Sequence, residues 1–484
     1  MQGFSGVVRI SNVSDFIEPS QKCVLPLANA DGGAQQKPSN LVGIHAKTLT
    51  NSQPKRTTTV GEKIRVTLSD CLACSGCITT AETMLVESQT IEQMLKGFYT
   101  HSISVVTISP QSVCSLAVHF GLSPSETAVR LAHFFQSLGA HYVIDSSFAR
   151  ILAHRMIYAE FRERHLSCRA QTENRTTWTG VCPGFVCYAE KTHGDLLVPH
   201  ISRVRSPQAL SALFVKDYLR LNLNEIAWRS LMNPADIFHV CVMPCYDKKL
   251  EASRGEFVSN DGVYEVDCVV TASELITLIS SSTEYADLFD SSVPSTSDST
   301  ETDLPDWLRR FASGCLIGDA NRESSGGYAA YVVQRMLHDF HGATVERIQR
   351  NKDLEEFHVY VAELGSEPVV IAKLYGFRNI QNAVQKLKRR KLRIDFVEVM
   401  ACPSGCSNGG GQIRGEIVDE RSRISNAVND AYASLADNDQ VMQTELDGIL
   451  RDWKRFNPSY ETKLLTDYHP IKPNLNSGIL GDSW

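Results

Sequence analysis

Three cysteines stand at two-residue intervals in DCLACSGCITTAE, as Cys71, Cys74 and Cys77. Thiols at this spacing on a tight loop can occupy three corners of a cubane iron–sulfur cluster. The segment lacks the nearby fourth Cys-Pro of bacterial ferredoxins, and Cys23 is the only cysteine on its N-terminal side. The spacing therefore predicts a cluster held by Cys23, Cys71, Cys74 and Cys77. Structural zinc is the alternative, because four thiolates also suit that ion.

A second pair of cysteines lies in FVEVMACPSGCSNGGGQ, as Cys402 and Cys406. Residues 394–400 alternate between apolar and polar types and are rich in β-branched residues, which predicts a strand that ends just before Cys402. Ligands gather at the carboxyl ends of strands in open α/β sheets. The glycines that follow predict bare backbone near a bulky inorganic group, with N–H donors directed at its sulfides. The alternative is a glycine loop with two buried cysteines.

Two further cysteines have similar surroundings. Cys182 is followed by Pro183 and a glycine, as Cys402 is followed by a proline. Cys245 ends the sequence Met-Pro-Cys after an apolar run that predicts a buried strand. The other cysteines are predicted to be non-ligands, since free cysteine is among the most buried residue types; they are Cys114, Cys168, Cys187, Cys241, Cys268 and Cys315.

Composition limits the class of protein. The chain has 484 residues, of which 43% are hydrophobic and 21% charged, as in ordinary globular proteins. Its net charge of -7 argues against general affinity for nucleic acid or anionic membranes. No span is apolar for long enough to cross a bilayer, and the N-terminal stretch resembles neither a signal nor a transit peptide. These features predict a cytosolic or nuclear location. Fourteen cysteines are too dilute for a disulfide scaffold, so their spacing is better interpreted as metal ligation.

Predicted strands and helices alternate from residue 102 onward, which indicates an α/β protein with a mostly parallel sheet. One predicted helix begins after Ser123 and Pro124 and keeps apolar residues at helical spacing until Gly139. Residues 29–59 and 281–304 are rich in small polar residues and are predicted to be flexible.

Three separated segments carry a resemblance: TGVCPGF at 179–185, MPCYDKKLE at 243–251 and VEVMACPSGCSNGGGQ at 397–412. In this order they resemble the signatures of iron-only hydrogenases, whose four cysteines hold a four-iron cluster between two lobes. The resemblance assigns that role to Cys182, Cys245, Cys402 and Cys406. With DCLACSGCITTAE and CPGFVCYAEKTHG included, the chain is similar to the hydrogenase-like proteins of the nuclear prelamin A recognition factor family, specifically their cytosolic iron–sulfur assembly factors.

The resemblance extends over nearly the whole chain and implies a domain organisation. We expect an iron-only-hydrogenase-like, two-lobe α/β fold with mostly parallel sheets, preceded by a small ferredoxin-like cluster-binding region. The predicted divisions are an N-terminal cluster region at 1–100, a first lobe at 101–260, a second lobe at 261–417 with a mobile insertion at 281–304, and a C-terminal helix and extended tail at 418–484.

Two departures from active hydrogenases bear on activity. Their motif is TSCCPGW, in which the first cysteine of the pair relays protons, whereas Val181 stands at that place here. Ile413 replaces the proline that ends their glycine motif. The resemblance therefore implies a non-catalytic carrier or adaptor of two 4Fe-4S clusters. An iron-only hydrogenase or another redox enzyme is the alternative.

The resemblance also implies partners. They are early scaffold proteins and a late targeting complex that contains a WD-repeat protein and delivers clusters to cytosolic and nuclear apoproteins. A terminal indole beside a free carboxylate suits a docking tag, so Trp484 is the predicted partner-binding residue.

Overall fold

The computed structural model describes residues 80–167, 176–227, 232–259, 261–291, 306–318, 322–415, 417–435 and 439–471. The predictions for Cys23, Cys71, Cys74 and Cys77, for the ferredoxin-like region, for 29–59, for Cys168 and for Trp484 fall outside these residues. Among the described helices, none combines the length and apolar character that spanning a bilayer demands.

The first sheet is entirely parallel and has the strand order β2-β1-β4-β5. Its strands are β1 (Ile103–Ile108), β2 (Tyr142–Asp145), β4 (Ile237–Met243) and β5 (Cys268–Thr271). All seven residues of β4, IFHVCVM, are buried, because helices cover both faces of a parallel sheet and a central strand must be apolar throughout.

The second sheet is mixed and has the order β3-β9-β8-β7-β6. Its strands are β3 (Thr177–Trp178), β6 (Thr344–Asn351), β7 (Leu354–Tyr360), β8 (Val369–Tyr375) and β9 (Phe396–Met400). Strands β3, β9 and β8 run parallel, whereas β8, β7 and β6 pair antiparallel. The predicted α/β class with mostly parallel sheets is confirmed.

The helices follow from local sequence signals. Ser123 caps α4 by accepting a hydrogen bond from the Glu126 backbone N–H at 3.2 Å, and Pro124 occupies the first turn, as predicted. In chain order the described α-helices are α1 (Thr80–Ser88), α2 (Ile91–Thr100), α3 (Pro110–Phe120), α4 (Pro124–Ser137), α5 (Ser147–Arg162), α6 (Pro183–Leu197), α7 (Pro207–Leu213), α8 (Arg220–Ala227), α9 (Asp247–Ala252), α10 (Ala272–Ile279), α11 (Thr283–Asp290), α12 (Asp306–Arg309), α13 (Tyr328–Asp339), α14 (Phe377–Lys388), α15 (Val418–Ala433), α16 (Asp439–Phe456) and α17 (Tyr460–Lys463).

Part of the predicted mobile insertion at 281–304 is helical. Helix α11 begins after Ser282, whose hydroxyl accepts a hydrogen bond from the Tyr285 backbone N–H at 3.2 Å. Phe289 of this helix is buried against Phe120 and Phe134, with ring centroids 4.6 and 6.3 Å away. The polar composition of the segment did not predict this helix, because Phe289 is its one buried residue.

The two sheets exchange strands along the chain. Strand β5 lies beyond residue 260 yet pairs with β4 of the first sheet, and β3 lies before residue 260 yet pairs with β9 of the second. The sheets are therefore not successive segments of sequence. The domain divisions given above stay a prediction.

Trp453 of α16 fixes the C-terminal helices to the body of the protein. Its side chain is fully buried and stacks on Tyr460 with ring centroids 4.8 Å apart. Its indole N–H donates to Asp217, in the π-helical segment Phe214–Leu219 between α7 and α8, at 2.9 Å. An indole buried this completely contributes both apolar surface and a satisfied polar group.

We expect Trp453→Ala to destabilise the fold by about 3–5 kcal/mol, because the change leaves a large cavity and removes one of the donors to the Asp217 carboxylate. Urea unfolding followed by circular dichroism would measure this. Tyr99→Ala is the control, since Tyr99 is 76% exposed and should change the free energy of unfolding by no more than about 0.5 kcal/mol. Equal midpoints for the two variants would contradict the assigned role of Trp453.

Candidate metal centre

The four cysteines predicted to form the inner site line a single cavity of about 80 Å³. Cys245 follows β4 of the first sheet, and Cys402 follows β9 of the second. Cys182 is the N-cap residue of α6, and Cys406 begins a short 3-10 turn at Cys406–Asn408. The carboxyl ends of strands from both sheets thus bring together residues that are far apart in sequence, which is where an α/β fold places its ligands.

A sharp turn presents Cys406 to the cavity. Ser404 has φ of 61° and Gly405 has φ of 78°, and the left-handed region is unfavourable for residues with a side chain. The Cys406 backbone N–H donates to Ser325 Oγ at 3.0 Å. A Cβ atom on Gly405 would lie 1.9 Å from that Ser325 oxygen. Only glycine therefore allows the Cys406 loop to approach Ser325.

The later glycines join two cysteine loops. A Cβ atom on Gly409 would lie 2.3 Å from the carbonyl oxygen of Pro244, and one on Gly411 would lie 2.5 Å from Thr271. The Gly411 backbone N–H donates to the same Pro244 carbonyl at 3.0 Å. Gly409 and Gly411 therefore approach the Cys245 loop, and Gly409 also lines the cavity of the four cysteines. The predicted approach of these glycines to an inorganic group stays a prediction.

Cys182 is tied to the Cys402 loop by its sulfur. The Ala401 backbone N–H donates to Cys182 Sγ at 3.3 Å. Gly184, two residues later, packs so closely against Asp247 that a Cβ atom would lie 2.7 Å from its carboxylate. Contacts between backbone and side chains therefore link all three cysteine loops.

Burial controls the protonation of the four thiols. It raises the pKa of Cys182, Cys245 and Cys402, and it raises that of Cys406 to about 12. Neighbouring thiols oppose one another's ionisation, as Cys182 does for Cys402 and Cys406. Metal binding at this site must therefore release protons, and a bound cation must supply the charge that makes four thiolates tolerable.

Helix termini offset negative charge in the cavity. Helix N-termini carry partial positive charge. The first residues of five helices line the cavity; they are Pro110 of α3, Ser147 of α5, Pro183 of α6, Pro207 of α7 and Tyr328 of α13.

A buried lysine adds a full positive charge. Lys248 Nζ donates to the Val181 carbonyl at 3.2 Å, to Ser206 Oγ at 3.1 Å and to Glu251 at 2.7 Å. Burial works against its charge, but Glu251 and the thiols of Cys245 and Cys182 hold the pKa of Lys248 above its ordinary value. The lysine thus stays charged beside the cysteines.

The donor set fits an iron–sulfur cluster. Four half-buried cysteines, helix N-termini and a lysine suit a negatively charged group with thiolate ligands. Zinc would require its ligand sulfurs to lie about 3.8 Å apart, given Zn–S bonds of about 2.3 Å in a tetrahedron. Among the described residues, no three His, Cys, Asp or Glu side chains are close enough to hold a single ion. A four-iron core lies between its thiolates, so it does not need that close convergence.

The remaining described cysteines lie elsewhere. Cys114, Cys241 and Cys268 are buried, and Cys315 is exposed. Cys187 lines a separate cavity between α6, α9 and residues 468–471. None of these five borders the cavity that holds the four cysteines.

Sequence patterns did not identify several residues around the cysteines. Lys248 lies in the motif MPCYDKKLE but was assigned no role. Its position three residues after Cys245 was the only signal in the sequence. Ser325 and Arg150 also line the cavity. They belong to no motif, and only the fold brings them to the site.

Comparison with known proteins gives the family. The family described as "Iron only hydrogenase large subunit, C-terminal domain" matches residues 102–410. A "Probable cytosolic Fe-S cluster assembly factor" of Caenorhabditis elegans is 42% identical over 98% of this chain and 98% of its own. A "Cytosolic iron-sulfur assembly component 3" of Rattus norvegicus is 35% identical, with 98% of each chain covered. This chain belongs to the family of cytosolic iron–sulfur cluster assembly factors.

Solved structures of hydrogenases are similar to this assembly factor. An FeFe-hydrogenase from Chlamydomonas reinhardtii superimposes with a TM-score of 0.60 at 21% identity, covering 78% of this chain and 98% of its own. The predicted hydrogenase-like fold is confirmed. At this identity the likeness concerns the fold alone.

We expect Gly405→Ala to lower the iron bound by this assembly factor, because the new Cβ atom would displace Ser325 or the Cys406 loop. Iron per chain after anaerobic purification would measure the loss, with circular dichroism to confirm folding. Gly255→Ala is the matched control, since a Cβ atom there meets no atom within 4 Å. Full iron content in folded Gly405→Ala protein would show that the turn does not constrain the site.

Proposed function

We propose that this assembly factor carries two 4Fe-4S clusters and links early scaffold proteins to a late targeting complex. The inner cluster is held by Cys182, Cys245, Cys402 and Cys406. The observation that supports it best is the convergence of four half-buried cysteines, from three loops distant in sequence, on one cavity. The predominance of thiols favours iron–sulfur chemistry over oxygen-ligated metals.

The outer cluster is assigned to Cys23, Cys71, Cys74 and Cys77. The described chain begins with α1, three residues after Cys77. Lys191 of α6 holds α1 in place through an ion pair with Glu82 at 2.6 Å. Cys182 is the N-cap residue of α6. The ion pair therefore connects the helix that follows Cys77 with the helix that begins at the inner site, which supports an outer cluster near the inner one.

The proposed role is not enzymatic. General acid catalysis needs a titrating group within hydrogen-bond reach of the reacting centre. Val181 lines the cavity with methyl groups, and its carbonyl is occupied by Lys248. We therefore propose a carrier or adaptor rather than a hydrogenase or another redox enzyme.

The names of the relatives support the proposed cytosolic role, and the proposed partners are those that the resemblance implies. These names place the relatives in cytosolic iron–sulfur assembly. We extend this to a cytoplasmic protein, also present in the nucleus, whose partners are early scaffold proteins and a late targeting complex that contains a WD-repeat protein. We propose binding to neither nucleic acid nor membrane.

We expect the double variant Cys182→Ser, Cys406→Ser to lose the inner cluster and to retain the outer one, so that iron per chain falls by about half, since two of four ligands are removed. Anaerobic purification followed by iron, sulfide and zinc analysis would measure this. Cys187→Ser and Cys241→Ser are controls that change a thiol without reducing iron. Unchanged iron in the double variant would refute the inner site, and stoichiometric zinc would favour a structural zinc protein.

We expect removal of Trp484 to weaken binding to the late targeting complex roughly thirty-fold or more, because truncating a buried aromatic hot spot costs about 2 kcal/mol or more. Binding of the full chain and of a chain ending at Ser483 to the purified complex would be compared by titration. Cluster content should stay equal, which separates docking from folding. Equal affinities would exclude Trp484 as the docking residue.

A further inference from the structure

Tyr328, the first residue of α13, carries a buried hydroxyl that the protein itself does not satisfy. The residue is 1% exposed and lines the cavity of the four cysteines. Within the described part of the chain, no group forms a hydrogen bond with its hydroxyl oxygen. A buried hydroxyl without a partner is costly, so a native protein that keeps one usually reserves it for a bound group.

Packing holds the Tyr328 ring in place. A Cβ atom on Gly326 would lie 2.6 Å from the ring, so the ring rests directly on the backbone of the preceding loop. On another side the ring packs edge-on against His154, with ring centroids 4.8 Å apart. The hydroxyl therefore has little freedom to turn away and find a partner elsewhere.

The loop that carries Tyr328 is tied to a cysteine of the site. Ser325, three residues earlier in the chain, accepts a hydrogen bond from the Cys406 backbone N–H at 3.0 Å. Cys182 and Cys406 both pack against the hydrophobic core that contains the Tyr328 side chain. Tyr328 thus stands at the wall of the cavity next to two of the four proposed ligands.

The hydroxyl can act as a donor. Burial raises the pKa of Tyr328, and Glu398 and the Cys406 thiol add to the rise, whereas Arg150 opposes it. The phenol therefore keeps its proton at neutral pH. A protonated phenol can donate one hydrogen bond, and thiolate or sulfide sulfur can accept it.

A second buried atom of the cavity wall shows why Tyr328 suits a sulfur-rich group. Gln208 is 2% exposed, and its Oε1 has no hydrogen-bond partner among the described residues. Its Nε2 donates to the Lys248 carbonyl at 3.0 Å, which fixes the amide so that Oε1 faces away as an acceptor. Deprotonated sulfur cannot donate to an acceptor. Of these two atoms, only the Tyr328 hydroxyl can therefore be satisfied by a cluster.

We propose that the Tyr328 hydroxyl donates a hydrogen bond to a sulfur atom of the inner cluster and thereby raises its reduction potential. The proposal rests on the inner cluster assigned above. Hydrogen bonds to cluster sulfurs help to set the potential, because they stabilise the more negative reduced state. Tyr328 keeps its O–H bond throughout. On reduction, the electron comes from a one-electron reductant such as dithionite, and no proton is transferred.

The test is a redox titration of the full chain and of Tyr328→Phe, followed by electron paramagnetic resonance. The inner-cluster signal is the one that the double variant Cys182→Ser, Cys406→Ser lacks. Loss of the donor should lower the equilibrium constant for reduction about tenfold, which corresponds to about 59 mV for one electron. A ring-fluorinated tyrosine at the same position keeps the hydroxyl and makes it a stronger donor, so it should shift the potential in the opposite direction.

The hydrogen bond can also be observed directly. After exchange into deuterated water, electron–nuclear double resonance should detect a deuteron coupled to the reduced inner cluster, and Tyr328→Phe should lose that coupling. Tyr158→Phe is the matched control, because its hydroxyl donates to Asp339 at 2.8 Å and Tyr158 does not border the cavity. This control should change neither the potential nor the coupling.

An unchanged potential in Tyr328→Phe would overturn the proposal and would indicate that the hydroxyl binds water alone. An equal shift in Tyr158→Phe would also overturn it, since any lost hydroxyl would then have the same effect. If Tyr328→Phe binds no cluster, the fluorinated residue decides, and a potential that does not rise refutes the hydrogen bond. If the double cysteine variant loses neither signal nor iron, the inner cluster itself is wrong, so the two failures are distinguishable.

Discussion

The site depends on one electrostatic constraint, which is that four buried thiols must lose their protons before they can bind iron. Burial opposes this at each cysteine. Five helix N-termini and Lys248 border the same cavity and offset part of the negative charge. The rest must come from the bound group itself. A cavity built in this way favours a multinuclear cluster that carries several positive ions over a neutral ligand.

The same constraint explains how the two sheets are joined. Three cysteine loops meet through the Ala401 N–H to the Cys182 sulfur and through the Gly411 N–H to the Pro244 carbonyl. These bonds hold the loops together where side chains would push them apart, so the glycines serve assembly of the site. A cluster ligated from both sheets would add a third link, and its binding energy would contribute to the stability of the fold.

Sequence analysis identified the site residues that follow a recognisable strand pattern in the neighbouring sequence. Cys402 stands at a strand end because β9 has its own alternating pattern, and Cys245 follows a continuous apolar run. The positions of Ser325 and Glu398 beside Cys406 could not be predicted, because they arise only when α13 packs on β9. The strand exchange between sheets was missed for the same reason, since β5 has the same apolar character whichever sheet it joins. Helix α11 was missed because Phe289 is a single anchor within a polar segment.

A hydrogenase fold does not fix a hydrogenase function, because chemistry resides in particular side chains. The fold keeps four thiols around one cavity, which is sufficient to hold a cluster. Catalysis on protons also needs a titrating group within reach of the reacting centre, and we propose that Val181, which lines the cavity with methyl groups, stands in the place of that group. A cavity that keeps the four cysteines but carries a valine at this place fits the proposed carrier.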